Sequence, residues 1–236
     1  MRDIVDNFSH DLAPPSSKPS SPSEKHDVVL TGSTSSLGKY ILEELLAEPS
    51  ISHVYCLNRS SDAEERHRKS FVSRSVKADF SRVAFLQTDI SKVHFGLSGR
   101  DNERLLDTVD IFVHNVWSVD FNESLESYED VHIASTWRVV DFSVESKHRA
   151  HIDFICSIAR VGNCLSSDTI EEGVPETLPD DSSLPLPLPQ GYGESKHVAS
   201  RILATAADRA AVPGSVIRAG HLAGSSKQGT EWNKHE

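Results

Sequence analysis

Cysteine is scarce in this chain of 236 residues, and Cys56, Cys156 and Cys164 are odd in number and scattered. That usage argues against a disulfide framework and fits a reducing, cytoplasmic compartment. Metal-ligand patterns are lacking too. The chain has 12 histidines, but they form no cluster with one another or with the cysteines. Structural zinc needs gathered ligands, so no metal is expected. Positive charge is short, with 24 Lys and Arg against 35 Asp and Glu and a formal net charge of −11. Nucleic acid and anionic membranes both require a basic face, so neither is expected as a partner. No run approaches the roughly 18 apolar residues of a membrane helix. Residues 1–26 lack the apolar core, about 7–15 residues long, of a secretory signal. No Gly-x-Ser-x-Gly elbow is present, which leaves a serine hydrolase unsupported.

What is present is alternation. Residues 1–26 include a Pro/Ser-rich run at 14–23 and read as a disordered tail, because such a run buries too little apolar surface to offset ordering. Beyond it, short apolar runs at 28–30, 53–57, 83–87, 111–114, 152–156 and 215–218 suit strands. Between them, helical periodicity marks 37–48, 63–77, 102–106, 128–146 and 190–211. The strands are apolar on both faces. The pattern predicts an α/β fold: a doubly wound, Rossmann-type parallel sheet covered on both sides. The Leu-Pro repeat at 184–189 reads as an extended surface loop leading into the last helix.

The first strand ends in Thr31-Gly32-Ser33-Thr34-Ser35-Ser36-Leu37-Gly38. Backbone N–H groups of such a turn, together with the start of the following helix, can cradle a pyrophosphate. A P-loop is excluded, since five residues separate the glycines and Lys39 is followed by Tyr40. The second strand ends at Leu57-Asn58-Arg59. A carboxylate there would hold a ribose 2′-hydroxyl. Arg59 instead suits the 2′-phosphate of NADP(H) by charge and by its planar fork of donors. Asp89 and Ile90, after the third strand, stand where the adenine edge is expected.

A second constellation lies 161 residues after Thr31, where Tyr192 and Lys196 stand at i and i+4. On a helix the two share a face. An ammonium beside a phenol favours phenolate, so Tyr192 is expected to have a lowered pKa and to donate a proton to a carbonyl oxygen that receives hydride. Lys196 can also hold the nicotinamide ribose. Ser157 follows the fifth strand, at the sheet end where open α/β proteins bind ligands, and its hydroxyl can bond the same oxygen.

Taken together these runs resemble the extended short-chain dehydrogenase/reductase family. Within it they are similar to the thioester reductase domains of fungal adenylate-forming and carboxylic acid reductases. The resemblance rests on Val28-Val29-Leu30-Thr31-Gly32-Ser33-Thr34, on Cys56-Leu57-Asn58-Arg59, and on His114-Asn115-Val116-Trp117-Ser118-Val119-Asp120-Phe121-Asn122. It continues in Phe154-Ile155-Cys156-Ser157-Ile158, in Gly191-Tyr192-Gly193-Glu194-Ser195-Lys196, and in Ile217-Arg218-Ala219-Gly220-His221-Leu222-Ala223-Gly224 with Trp232-Asn233. Ser35 stands where the family's turn has a glycine. The resemblance implies NADPH-dependent reduction of an acyl thioester on a carrier protein's phosphopantetheine arm, or of a small-molecule aldehyde, in fungal secondary metabolism. It implies catalytic roles for Ser157, Tyr192 and Lys196. It implies cofactor contacts at Thr31, Gly32, Thr34, Ser35, Ser36, Leu37, Gly38, Arg59, Asp89, Ile90, Asn115 and Trp117, as well as at Tyr192 and Lys196. Residues 4–12 are similar to the linker that joins carrier to reductase. Residues 27–236 are expected to form the NADP-binding reductase domain, with its C-terminal substrate lobe truncated. Two other readings stay open: a non-catalytic NADP-binding remnant, and another extended-family enzyme such as a ketone reductase, epimerase or dehydratase.

Overall fold

Six short runs of mostly apolar residues form the strands: β1 (His26–Thr31), β2 (Ile51–Asn58), β3 (Val83–Gln87), β4 (Val109–His114), β5 (His151–Ser157) and β6 (Gly214–Ala219). They make one parallel sheet in the order β3-β2-β1-β4-β5-β6. Six α-helices accompany them: α1 (Arg2–Ser9), α2 (Ser36–Ala47), α3 (Ala63–Ser73), α4 (Gly99–Thr108), α5 (Ala134–Glu145) and α6 (Gly191–Ala210). The computed structural model describes residues 1–9, 12, 24–166 and 187–223. Cys164's side chain, the start of the Leu-Pro repeat, Gly224, Trp232 and Asn233 lie outside the described residues.

Strand residues point alternately to opposite faces, and the register sorts them into two cores. Val29 pairs with Phe112, and both face a core shared with α5 and α6. Val28 pairs with Ile111 and Leu30 with Val113, and these face a second core shared with Leu42 and Leu46 of α2 and Phe71 of α3. Both faces of the sheet are therefore apolar. This is why the strands read as continuous hydrophobic runs and not as alternating ones. The strand order reverses between β1 and β4, and the chain leaves a crevice beyond the carboxyl ends of those two strands.

The elements differ from the sequence expectation in three places. Residues 1–26 are not wholly a disordered tail, because Arg2–Ser9 form α1. Ile4, Val5 and Phe8 lie on one face of that helix, and with Met1 and Leu12 they pack against the core that includes α6. The expected helix from 128 begins differently: a 3-10 turn at Glu126–Tyr128 and a π turn at Glu129–Ile133 precede α5. The helix expected to run to 77 stops at Ser73, followed by Ser75 with φ +56°.

Val5 is 3% exposed. A Val5→Asp substitution should cost about 2 kcal/mol or more, the scale of burying an unpaired polar group. Chemical denaturation measures it, and an unchanged midpoint would show that α1 does not dock in solution.

Candidate functional site

The crevice is built around the turn after β1. Gly32 has φ +65°, and a Cβ there would lie 2.8 Å from the Cα of Val116. A Cβ at Gly38 would lie 2.2 Å from the Gly32 carbonyl oxygen. Both positions therefore need glycine, the first for its left-handed backbone and both for close approach. Ser35, in the position of the middle glycine, has found a use. Its hydroxyl donates to the Gly32 carbonyl at 2.9 Å and accepts the Gly38 N–H at 3.0 Å, which caps α2. Asn115 braces the same turn, its side-chain amide donating to the Gly32 carbonyl at 3.0 Å and to the Ser35 hydroxyl at 3.2 Å. Ser36, Leu37 and Gly38 form the first turn of α2.

Thr31 fastens the turn to β4. Its Oγ1 accepts the N–H groups of Asn115 and Val116 at 3.1 and 3.2 Å and lies 3.2 Å from Nδ1 of His114. The proton positions follow from a chain of donors. The Ser135 hydroxyl donates to the His132 carbonyl at 2.7 Å, so His114 Nε2, 3.3 Å from that hydroxyl, is the donor to it. His114 Nδ1 is then an acceptor for Thr31. Burial keeps His114 neutral, lowering its pKa to about 3.

A cleft of about 830 Å³ opens beside the turn, lined among others by Gly32, Thr34, Arg59, Asp89, Ile90 and Trp117. Arg59 and Asp89 thus both line this cleft. The Asp89 carboxylate is engaged locally: it accepts the Ser91 hydroxyl at 2.6 Å and the Ser91 N–H at 3.0 Å, which hold its pKa below the usual range. The Ile90 carbonyl accepts from Arg138 at 3.2 Å.

Ser157, at the end of β5, and Tyr192 and Lys196, on the first turns of α6, are not among the residues that line this cleft. The Ser157 side chain acts on the Tyr192 phenol and favours its ionised form, while its Oγ accepts the Ala159 N–H at 3.2 Å. Phe121 meets the Tyr192 ring edge-on at 5.2 Å. Lys196 is 3% exposed. Its Nζ donates to the Ile155 carbonyl at 2.6 Å and lies 4.0 Å from the Trp117 ring centroid and 4.6 Å from that of Phe154. The Trp117 indole N–H donates to the Ser195 hydroxyl at 3.2 Å, so one aromatic ring separates the lysine from the cleft and is itself pinned to α6. The expected lowering of the phenol's pKa by its neighbouring ammonium is corrected here. Burial raises the Tyr192 pKa, with only the Ser157 side chain opposing. The lysine is the group that is lowered, to about 7, again by burial.

Several side chains at this site escape a reading of motifs. His114, Phe154 and Ser195 lie inside the recognised runs but carry no motif of their own. His132 accepts the Ser118 N–H at 3.2 Å and stacks on Trp117 with ring centroids 5.1 Å apart. Its signal was the i, i+4 pair with Tyr128, whose ring lies 5.8 Å away. The π turn that carries His132 is the kind of irregularity that gathers at functional sites.

A profile of NAD-binding domains described as Male sterility protein matches residues 30–235. The chain belongs to this family. A carboxylic acid reductase of Neurospora crassa is 38% identical over 100% of this chain, which corresponds to 22% of the relative. The terminal R domain of the myxalamid PKS-NRPS pathway shares the fold, with TM-score 0.75 and 24% identity over 100% of this chain and 59% of that one. A thiolation-reductase di-domain from an archaeal non-ribosomal peptide synthetase gives TM-score 0.65 and 22% identity over 97% of this chain and 47% of that one. The chain thus spans about a fifth of the curated relative's length.

As a Male sterility family domain the chain is built for a dinucleotide, and its residues fit one. The turn leaves Gly32 facing the cleft, and two buried polar atoms of cleft-lining side chains, Asn58 Nδ2 and Thr88 Oγ1, have no partner among the described residues. Among the described residues no group of three or more His, Cys, Asp or Glu side chains is placed to hold a metal, and no helix is long and apolar enough to cross a membrane.

The buried lysine makes stability depend on pH in a stated direction. Its pKa falls from 10.5 in the unfolded chain to about 7 when folded. Across that window the unfolded state binds a proton that the native state does not, so this group's contribution to stability rises with pH. Below the folded value the full burial penalty applies. Lys196→Met should therefore raise the denaturation midpoint near pH 6 and gain much less near pH 10. An equal gain at both would refute the assignment.

Proposed function

We propose that this chain is the nucleotide-binding and catalytic part of an NADPH-dependent reductase. It acts on an acyl thioester held on a carrier protein's phosphopantetheine arm, or on the matching aldehyde, in fungal secondary metabolism. The reading is carried by one observation: Lys196, four residues after Tyr192 on the same helix, packs 4.0 Å behind Trp117, which lines the cleft that also holds Gly32 and Arg59. The name of the Neurospora crassa relative and the thiolation-reductase pairing of a fold neighbour support the substrate class. The buried free thiols of Cys56 and Cys156 support a reducing, cytoplasmic compartment.

The turn at 31–38 holds the pyrophosphate through backbone N–H groups and the start of α2, and Arg59 takes the 2′-phosphate. When bound, the cofactor supplies a hydride. Tyr192, its pKa raised by burial, keeps its proton at neutral pH. That proton goes to the carbonyl oxygen as the carbonyl carbon accepts the hydride. Ser157 steadies the same oxygen through its hydroxyl. Reduction of a thioester in this way leaves a hemithioacetal, whose carbon–sulfur bond then breaks to give the aldehyde and the carrier thiol. Lys196, held by the Ile155 carbonyl beside Trp117, would serve the ribose hydroxyls of the bound cofactor.

Oxidation of NADPH with acyl-pantetheine thioesters and the matching aldehydes tests the activity. Tyr192→Phe should reduce turnover by about 10²–10⁴-fold, the usual share of a general acid, and leave NADPH binding intact. Unchanged turnover would assign the proton to another group. Arg59→Ala should weaken NADPH by about tenfold or more, the scale of a charge-assisted hydrogen bond, and leave NADH nearly unchanged. Equal wild-type affinities for the two would sink the 2′-phosphate assignment.

A further inference from the structure

Beside Arg59 the cleft wall contains a buried relay that no motif announces. Asn58, the last residue of β2, lines the cleft and is 5% exposed. Its Oδ1 accepts the Ser33 hydroxyl at 3.0 Å. Ser33 belongs to the turn after β1 and is itself fully buried. Nε2 of His67, on α3, lies 3.0 Å from the same Ser33 hydroxyl oxygen. A hydroxyl has one proton, and here it goes to Asn58. Nε2 must therefore be the donor, and His67 is neutral with its proton on that nitrogen. Nδ1 of His67 is left without a partner, as a bare lone pair and not as a stranded N–H. His67 has no exposure and packs against Phe85 and Phe71, with ring centroids 5.4 and 6.2 Å away, so the ring cannot turn to reverse the order.

The direction of the relay decides what Asn58 offers. With Oδ1 committed to Ser33, the Nδ2 amide remains, and it has no partner among the described residues. A second group at the same end of the sheet, Thr88 Oγ1, is also without one. The Thr88 N–H donates to the Asn58 carbonyl at 2.8 Å, which ties the two residues together. A cleft lined by both an amide N–H₂ and a guanidinium accepts an oxyanion.

We propose that His67, acting through Ser33, is a positioning residue that sets Asn58 as a hydrogen-bond donor to the phosphate monoester on the adenosine ribose of the bound dinucleotide. This rests on the reading of the cleft as an NADPH site. The same relay joins the pyrophosphate turn to the ribose end of the cleft, so one buried hydroxyl aligns both subsites.

Calorimetric titration with adenosine 2′,5′-bisphosphate and with adenosine 5′-monophosphate isolates the monoester's contribution without any turnover. The wild-type chain should prefer the bisphosphate, and Arg59→Ala should lose much of that preference. Asn58→Leu should lower it by about tenfold, the scale of one charge-assisted hydrogen bond. The substitution also removes the acceptor of the buried Ser33 hydroxyl, so circular dichroism should confirm that the variant is folded before its preference is read. His67→Phe keeps the ring packing and should lower the preference similarly. His67→Gln returns an N–H donor and should restore it. Nitrogen-15 NMR of the wild-type chain should find the His67 proton on Nε2. A preference that survives Asn58→Leu and His67→Phe but not Arg59→Ala would overturn the relay and spare the NADPH reading. A proton on Nδ1 would also overturn it. No wild-type preference at all would overturn the NADPH reading, and the relay with it.

Discussion

The Thr31 hydroxyl is the fastening on which this site depends. Parallel strands that end side by side exhaust their ladder at the last paired residues, here Thr31 and His114. Beyond them the chains diverge, and the N–H groups of Asn115 and Val116 lose any strand partner. Buried donors cannot be left so without cost. Thr31 Oγ1 accepts both, which lets β1 and β4 part without leaving those donors unpaired. The crevice of a doubly wound sheet is thus held open by a side-chain oxygen that stands in for the missing strand. The turn, the Asn115 brace and the Trp117 wall all hang from that junction.

Two neutral histidines hold the turn from opposite faces of the sheet. His114 donates from Nε2 towards α5 and accepts from Thr31, and His67 donates from Nε2 to Ser33. Burial lowers their pKa values to about 3 and about 4, so neither charges in the neutral range. This constancy has a structural purpose. A further proton would turn the His114 acceptor into a donor against Thr31 and would leave His67 with a buried N–H that has no partner. Their placement away from solvent makes the turn's hydrogen-bond order independent of pH until strongly acid conditions.

How much of this was legible in the sequence varies with the kind of physics involved. The parallel α/β sheet was, because strands apolar on both faces and helices at 3.6-residue spacing leave few alternatives. The turn's backbone and the place of Arg59 beside the cleft were legible because the conformation at a strand end depends on residues close in sequence. The α1 helix was not, since its apolar stripe is short and its partner, α6, lies almost the whole chain away. The state of Tyr192 was not either. A Tyr and a Lys at i and i+4 share a face, but whether the ammonium reaches the phenol depends on what else competes for it. Here the Ile155 carbonyl and two aromatic faces hold it. His67 acts through contacts made by tertiary packing, which no local pattern encodes.

The polar atoms that find no partner explain where the molecule is incomplete. Asn58 Nδ2, Thr88 Oγ1 and His132 Nδ1 are all buried and unpaired, and all three residues line the same cleft. Each unmade hydrogen bond costs about 1–3 kcal/mol, so the fold holds a local deficit there that packing elsewhere offsets. A ligand that supplies the missing acceptors and donors removes that deficit on binding and makes native contacts no unfolded chain can make. Affinity and stability are therefore linked through the same atoms. The cleft is polar where a nucleotide is polar, and its stability cost in the free chain is the counterpart of its capacity to bind.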